Sequence, residues 1–536
     1  MASAAAPVLE TRVAATRRPP WLILLPAALV AGVVFLPLAY LLFRSFGASE
    51  EAWRLLLRAR TLEVLGRSVV LAVAVTGCSI AIALPVAWLT VRADLPFKRA
   101  LAVLTALPLA IPSYVGGFLM VVALGPKGML QQLLAPMGVD RLPEIYGFPG
   151  AMLTLTLLSY PYVLLSVRSA LWGLDPSIEE VSRGLGESAW GTFWRVTLPR
   201  LRPAIAAGAL LVALYTLSDF GAVSLLRYET FTWAIYLQYE TAFNREAASV
   251  LSLVLVALAL GILIFEGRTR AGLSYYRTGS GTARPPAPVH LGQWRWVAFA
   301  LCSALVTFTL VLPTAMLAYV VIKGAWMGEQ FMPMWAPAFN SVFVSSVAAL
   351  VGVAAAVPVA VMAARYPGGI TAWLERLSFI GFALPGIVVA LSLVFLASSF
   401  AWPIYQTLAL LVLAYAILFL PAAMGSIKAS LLQVSPRLEE AARTLGRGPS
   451  QAFATVTLPL VRPGVMAAAG LVFLLTMKEL PATLVLGPIG FKTLATSTWS
   501  AASEAFLVQA AAPAVLLVLV SLVPMGFLLK WERASR

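Results

Sequence analysis

Charged and metal-binding side chains are scarce in this sequence. Only 11% of its 536 residues are Asp, Glu, Lys or Arg, one is histidine and two are cysteine. Cys78 and Cys302 fall inside apolar stretches, and His290 lies in a Pro-rich polar segment. That leaves neither a disulfide framework nor a Cys/His metal centre. The cysteines read as small packing residues and His290 as a solvated side chain. A Gly-rich phosphate-binding loop with its Lys is also missing, as is any cluster of His, Cys and carboxylates suited to chemistry. The chain therefore reads as a non-enzyme with no cofactor of its own and no stable metal.

What the chain has is apolar length. Hydrophobic residues make up 60% of it, too much for a soluble multidomain protein. Twelve stretches, at 21–43, 66–91, 100–124, 148–171, 200–217, 247–266, 296–322, 340–364, 376–399, 405–427, 461–478 and 507–529, are each long enough to cross a bilayer core of about 30 Å as a helix. The fold class is all-α and polytopic. The formal net charge of +15 gathers on alternate loops, which places the N- and C-termini on the cytoplasmic side. Without a basic-aromatic stripe, this basicity fits an anionic inner leaflet and not nucleic acid. Arg17-Arg18 precede Pro19-Pro20 and a long apolar run, which reads as an uncleaved first span.

One pattern occurs twice. Glu180-Val181-Ser182, Gly186 and Val196-Thr197-Leu198-Pro199 return 260 residues later as Glu440-Ala441-Ala442, Gly446 and Val456-Thr457-Leu458-Pro459. Pro176/Pro436, Glu179/Glu439, Arg183/Arg443, Leu185/Leu445 and Phe193/Phe453 keep the same offset, which chance does not supply over so short a window. The offset also carries Tyr160-Pro161 onto Leu420-Pro421, Asp219 onto Glu479 and Phe231 onto Phe491, and nearer each N-terminus Leu107-Pro108 resembles Leu384-Pro385. The chain thus divides into a cytoplasmic segment 1–20, a first half 21–267, a polar and then Pro-rich linker 268–295, a second half 296–529 and a cytoplasmic tail 530–536. Six spans per half make the two copies parallel, related by a pseudo-two-fold axis along the membrane normal.

Each repeated loop, near 176–199 and 436–459, has its own helical punctuation. Pro176 and Pro436 start a helix, Glu179-Glu180 and Glu439-Glu440 favour its positive end, and Gly186 and Gly446 stop it. Leu198-Pro199 and Leu458-Pro459 break the chain before the next span. The product is a rigid cytoplasmic knob suited to a groove in a soluble partner. Prolines within spans, notably Pro108 to Pro112 and Pro385-Gly386, predict interrupted helices beside a path.

The pattern Glu-Ala-Ala, three residues, Gly, nine residues, Ile-x-Leu-Pro resembles that of permease subunits of binding-protein-dependent ABC importers. Here Val456 replaces Ile in the second copy, while Val181-Ser182 and Val196 depart from it in the first. The presence of both copies in one chain is similar to the fused permeases of the ferric-iron group, as are Ser218 to Tyr228 and Lys478 to Thr483. The resemblance implies a type I importer permease in a bacterial inner membrane. Glu179, Glu180, Arg183, Gly186, Leu198, Pro199, Glu439, Glu440, Arg443, Gly446, Leu458 and Pro459 would seat on two ATPase subunits that carry ATP and Mg. One solute-binding protein would dock outside and deliver Fe(III), admitted by alternating access.

Asp219 and Glu479, equivalent in the two halves, are the path candidates, with Tyr228 and Glu229 as further oxygen donors for transient contact with Fe(III). Against this role, Asp219 can simply cap a helix or pair with Arg227, and Glu479 can neutralise Lys478. Two alternatives for the whole chain stay open. One is a different cargo such as thiamine. The other is an ion-coupled secondary transporter, which would carry ionisable residues in mid-span and would not need two docking loops.

Overall fold

The computed structural model describes residues 19–270 and 289–534, except Phe243 and Met332. The segment before Pro19, with Arg12, Arg17 and Arg18, and most of the linker, including Gly279 to Gly281, lie outside the described residues. A bilayer offers the backbone no hydrogen-bond partners, so an apolar chain satisfies them within helices. Eleven helices among the described residues are long and apolar enough to cross, and a bent pair supplies a twelfth span. The first half contributes Trp21–Phe46, Ala59–Arg92, Ser113–Met137, Phe148–Gly173, Trp190–Ser218 and Arg245–Phe265. The second contributes Trp294–Trp326, Trp335–Arg365, the pair Gly369–Ala383 and Gly386–Phe400, Leu408–Gln433, Phe453–Met477 and Leu507–Gly526.

Two expected spans are not continuous. The stretch 100–124 is a helix to Leu104, a 3-10 turn at Leu107–Ala110 and a new helix from Ser113. The stretch 376–399 turns through 105° between Ala383 and Gly386. Pro112 and Pro385 stand immediately before the new helices with nearly equal backbone angles, ψ 150° and 143°. A proline lacks the N–H that a continuing helix would use, and it pushes the preceding residue out of the helical region.

The breaks also correct the internal alignment. Pro112 corresponds to Pro385, an offset of 273 residues, so Leu107-Pro108 is not the partner of Leu384-Pro385. The helix ends Arg92 and Arg365 share this offset, as do Ser68 and Ser341, whose hydroxyls accept the N–H of Phe231 and of Leu494 at 2.9 and 2.8 Å. The change to 260 arises in the connection before Phe148, which is longer than the one before Leu408. Phe231 pairs with Leu494 and not Phe491, because the loop before the helix Leu494–Ser503 is three residues longer.

The first helix of each half reaches across to the other half. Trp21–Phe46 packs on Trp335–Arg365 and on the bent pair of the second half, while Trp294–Trp326 packs against Lys98–Leu104 and Ser113–Leu124 of the first. The segment ahead of that crossing helix is clipped in place. Val289 donates to Arg92 O at 2.7 Å, and Asp94 accepts from Leu291 N at 3.0 Å. His290 is solvated as expected, its side chain 83% exposed, and its Nδ1 also lies 3.1 Å from Asp94 Oδ2. The Leu291 N–H and then His290 hold the Asp94 carboxyl below the usual carboxylate range.

Candidate functional site

Each repeated loop begins with a capped nine-residue helix. Asp175 accepts from Ser177 N at 3.0 Å ahead of Pro176–Gly184, and Ser435 accepts from Arg437 N at 3.4 Å ahead of Pro436–Thr444. These caps satisfy donors that the first helical turn leaves open. Gly186 and Gly446 follow the helices with φ of +90° and +87°, a region that a side chain strains.

A charged bolt fixes each helix to the membrane domain. Glu179 Oε1 accepts from Thr197 Oγ1 at 2.9 Å and stands 3.3 Å from Arg92 Nη2. In the second half Glu439 Oε1 accepts from Thr457 Oγ1 at 2.7 Å and stands 3.3 Å from Arg365 Nη2. Arg92 and Arg365 are largely buried at the ends of membrane helices, so each bolt links a helix lying on the surface to one that crosses the bilayer. The first Glu of each pair is thus internal. Glu180 and Glu440 are exposed instead, as are Arg183 and Arg443.

Beyond the Gly turn the chain re-enters the membrane through a π-turn. The N–H groups of Leu198 and Leu458 reach back five residues, to Phe193 O and Phe453 O. The third π-turn, Thr307–Val311, likewise precedes a Leu-Pro pair, Leu312-Pro313. A proline ring clashes with the carbonyl four residues earlier, and one extra residue in the turn relieves that clash. Pro199 and Pro459 accordingly shape the re-entry without ending the helix. Leu185 and Leu445, 81% and 84% exposed, cap the knobs as apolar tips. The aromatic set differs between copies, because exposed Trp190 and Trp194 stand where the second copy has Ser450 and Ala454.

Asp219 and Glu479 face one cavity of about 220 Å³ between the halves, together with Lys478, Tyr114, Tyr162 and Tyr215. Asp219 caps a short helix, its Oδ1 accepting from Ala222 N at 3.1 Å and Val223 N at 3.2 Å. Glu479 Oε1 accepts from Ala482 N at 3.1 Å. The backbone carbonyls of both residues accept a threonine hydroxyl at 2.6 Å, from Thr232 and from Thr483. Lys478 does not neutralise Glu479 but donates across the halves to Leu109 O at 2.8 Å. Arg227 does not pair with Asp219, its guanidinium lying over the Tyr146 ring.

Tyr228 and Glu229 do not line this cavity. The Tyr228 hydroxyl donates to Arg67 O at 3.1 Å, and Glu229 pairs with Arg60 and Arg67. These partners hold both side chains to the N-terminal turns of the helix Ala59–Arg92, apart from the cavity that Asp219 and Glu479 share. No group of three or more His, Cys, Asp or Glu side chains among the described residues could hold a metal.

The sequence pattern of the family described as binding-protein-dependent transport system inner membrane component matches residues 79–267 and again 356–533. The chain is 37% identical to the Fe(3+)-transport system permease protein FbpB 2 of Haemophilus influenzae, over 96% of this chain and 99% of that one. It is 32% identical to the molybdenum transport system permease protein ModB of Escherichia coli K12, over 38% of this chain and 96% of that one. It is 26% identical to a probable sulfate transport system permease protein, cysT, of Marchantia polymorpha, over 36% of this chain and 67% of that one.

Proposed function

The chain belongs to the family of binding-protein-dependent transport system inner membrane components, and from that premise we propose that it is the fused permease of an ATP-driven importer of Fe(III). It is a multi-pass transport permease and not a catalyst. The observation that carries the cargo is the likeness to the Haemophilus influenzae Fe(3+) permease, which runs through both halves. Two copies of the docking knob support two ATPase subunits, which hold ATP and Mg, and one solute-binding protein on the opposite face. The cluster of basic loops supports cytoplasmic termini.

ATP binding draws the two ATPase subunits together and displaces both knobs. Each bolt passes that displacement on, through Glu179 and Arg92 to the helix Ala59–Arg92 and through Glu439 and Arg365 to Trp335–Arg365. Those helices pack along Phe148–Gly173 and Leu408–Gln433, so the halves move as bodies about the shared cavity. Access then alternates between the two faces.

The test is the ATPase rate of the reconstituted complex with binding protein added empty, ferric-loaded or thiamine-loaded. Stimulation by the ferric-loaded form alone supports the assignment. Stimulation only by another loaded form removes iron as the cargo.

A further inference from the structure

The cavity between the halves holds a hard oxygen that the internal repeat does not reveal. Tyr114 lines it, is only 2% exposed, and its hydroxyl has no hydrogen-bond partner among the described residues. A buried phenol ordinarily finds such a partner. The backbone makes room for this ring, since a Cβ at Gly221 would lie 2.7 Å from Tyr114 Cβ. The Glu479 side chain lines the same cavity. Among the described residues only Oε1 of that carboxylate accepts a hydrogen bond, and a Cβ at Gly386 would stand 2.4 Å from it. Gly221 thus lets the base of the Tyr114 ring pack closely and Gly386 leaves room for Glu479 Oε1, while the Tyr114 hydroxyl keeps its hydrogen-bonding capacity unused.

The cavity carries one positive charge as well. Lys478 has Ser218 as its equivalent in the first half, so the ammonium occurs on one side only. Its Nζ donates to the Leu109 carbonyl, which fixes the ammonium against the first half while the residue lines the shared cavity.

Building on the iron reading above, we propose that Tyr114, Glu479 and Asp219 form a transit site for Fe(III) and that the Lys478 ammonium keeps it weak. Fe(III) is a hard cation suited to carboxylate and phenolate oxygen. On binding, the Tyr114 O–H bond breaks, an iron–oxygen bond forms, and the proton leaves on water shed by the incoming ion. No electron moves and the iron stays ferric. A site that bound tightly would stall transport, and like-charge repulsion from Lys478 opposes that outcome.

The experiment uses the full chain assembled with its ATPase subunits, titrated with Fe(III)-nitrilotriacetate and followed by bound iron and by the visible phenolate-to-iron charge-transfer band. The wild type shows a weakly bound band. Tyr114→Phe abolishes the band and lowers affinity by roughly 10–100-fold, at least the loss typical of a group supporting a metal ligand. Lys478→Gln keeps a donor for Leu109 but drops the charge, and it raises affinity by about tenfold, equivalent to about 1.4 kcal/mol. A wild-type complex without the band, or a band that survives Tyr114→Phe, overturns the site.

Should Tyr114→Phe fail to assemble, Glu479→Gln carries the test. Weaker binding with an altered band supports the site, and unchanged affinity overturns it. A complex stimulated by ferric-loaded binding protein yet lacking the band loses this site and keeps the iron reading. A complex stimulated only by another loaded form loses both.

Discussion

Arg92 Nη2 stands 3.3 Å from Glu179 Oε1, and the side chains are only 3% and 18% exposed. With Arg365 and Glu439 at the same separation in the second half, the pair is a buried link between a surface helix and a membrane helix, repeated in both halves. Its loss should therefore differ from the loss of an exposed docking charge.

Glu179→Gln leaves Arg92 buried without its counter-charge. Breaking a well-buried pair costs on the order of 3–5 kcal/mol, and partial exposure of the glutamate reduces this to about 2 kcal/mol. Hydrogen exchange should show faster opening of Pro176–Gly184, with the membrane helices unchanged. Glu439→Gln should do the same for Pro436–Thr444.

Glu180→Gln with Glu440→Gln should disturb exchange in the two helices less than the loss of Glu179 or Glu439 does, because both side chains are exposed. ATPase coupling should fall in the assembled complex. Full uptake and full ATPase binding in this double variant would contradict a docking role for the two residues.

Leu185→Asp and Leu445→Asp place charge on the exposed tips. An interface anchor of this kind is worth about 2 kcal/mol or more, so affinity for the ATPase subunit should drop by about thirtyfold per tip. Co-purification of the chain with its ATPase subunits reads this directly, and the thermal stability of the chain alone should not move.

Gly186→Ala and Gly446→Ala meet open space but a positive φ. Backbone strain of roughly 1–2 kcal/mol each is expected, seen as fraying of the preceding helix in hydrogen exchange.

The clip at Asp94 should depend on pH in one direction. Its carboxyl is held below the ordinary range, so its contribution is complete above the unfolded value of about 3.9. It fades as pH falls through the lower folded value. At neutral pH Asp94→Asn imitates the acid state, and the Val289 and Leu291 amides should exchange faster.

Much of this architecture was legible in the sequence, because a 260-residue repeat with fixed Glu, Gly and Leu-Pro positions reports directly on a duplicated loop. The span count and the interrupted helices at Pro112 and Pro385 followed from apolar length and proline chemistry. Arg92 and Arg365 were hidden, since they lie at the other offset and their partners are distant in sequence. Thr197 and Thr457 sat inside the motif, yet nothing local shows which carboxylate their hydroxyls reach. Lys478 next to Glu479 looked like a neutral pair, whereas backbone direction sends its ammonium to the other half. Tyr228 and Glu229 sat beside the expected path, but their partners Arg60 and Arg67 are more than 150 residues away.

The most direct test of the central claim is accumulation of labelled iron in proteoliposomes holding the chain and its ATPase subunits, with ferric-loaded binding protein outside. The account predicts uptake that requires ATP on the ATPase side and disappears when Leu185 and Leu445 are both changed to Asp. Uptake driven by a proton or sodium gradient, with the ATPase subunits left out, would contradict it.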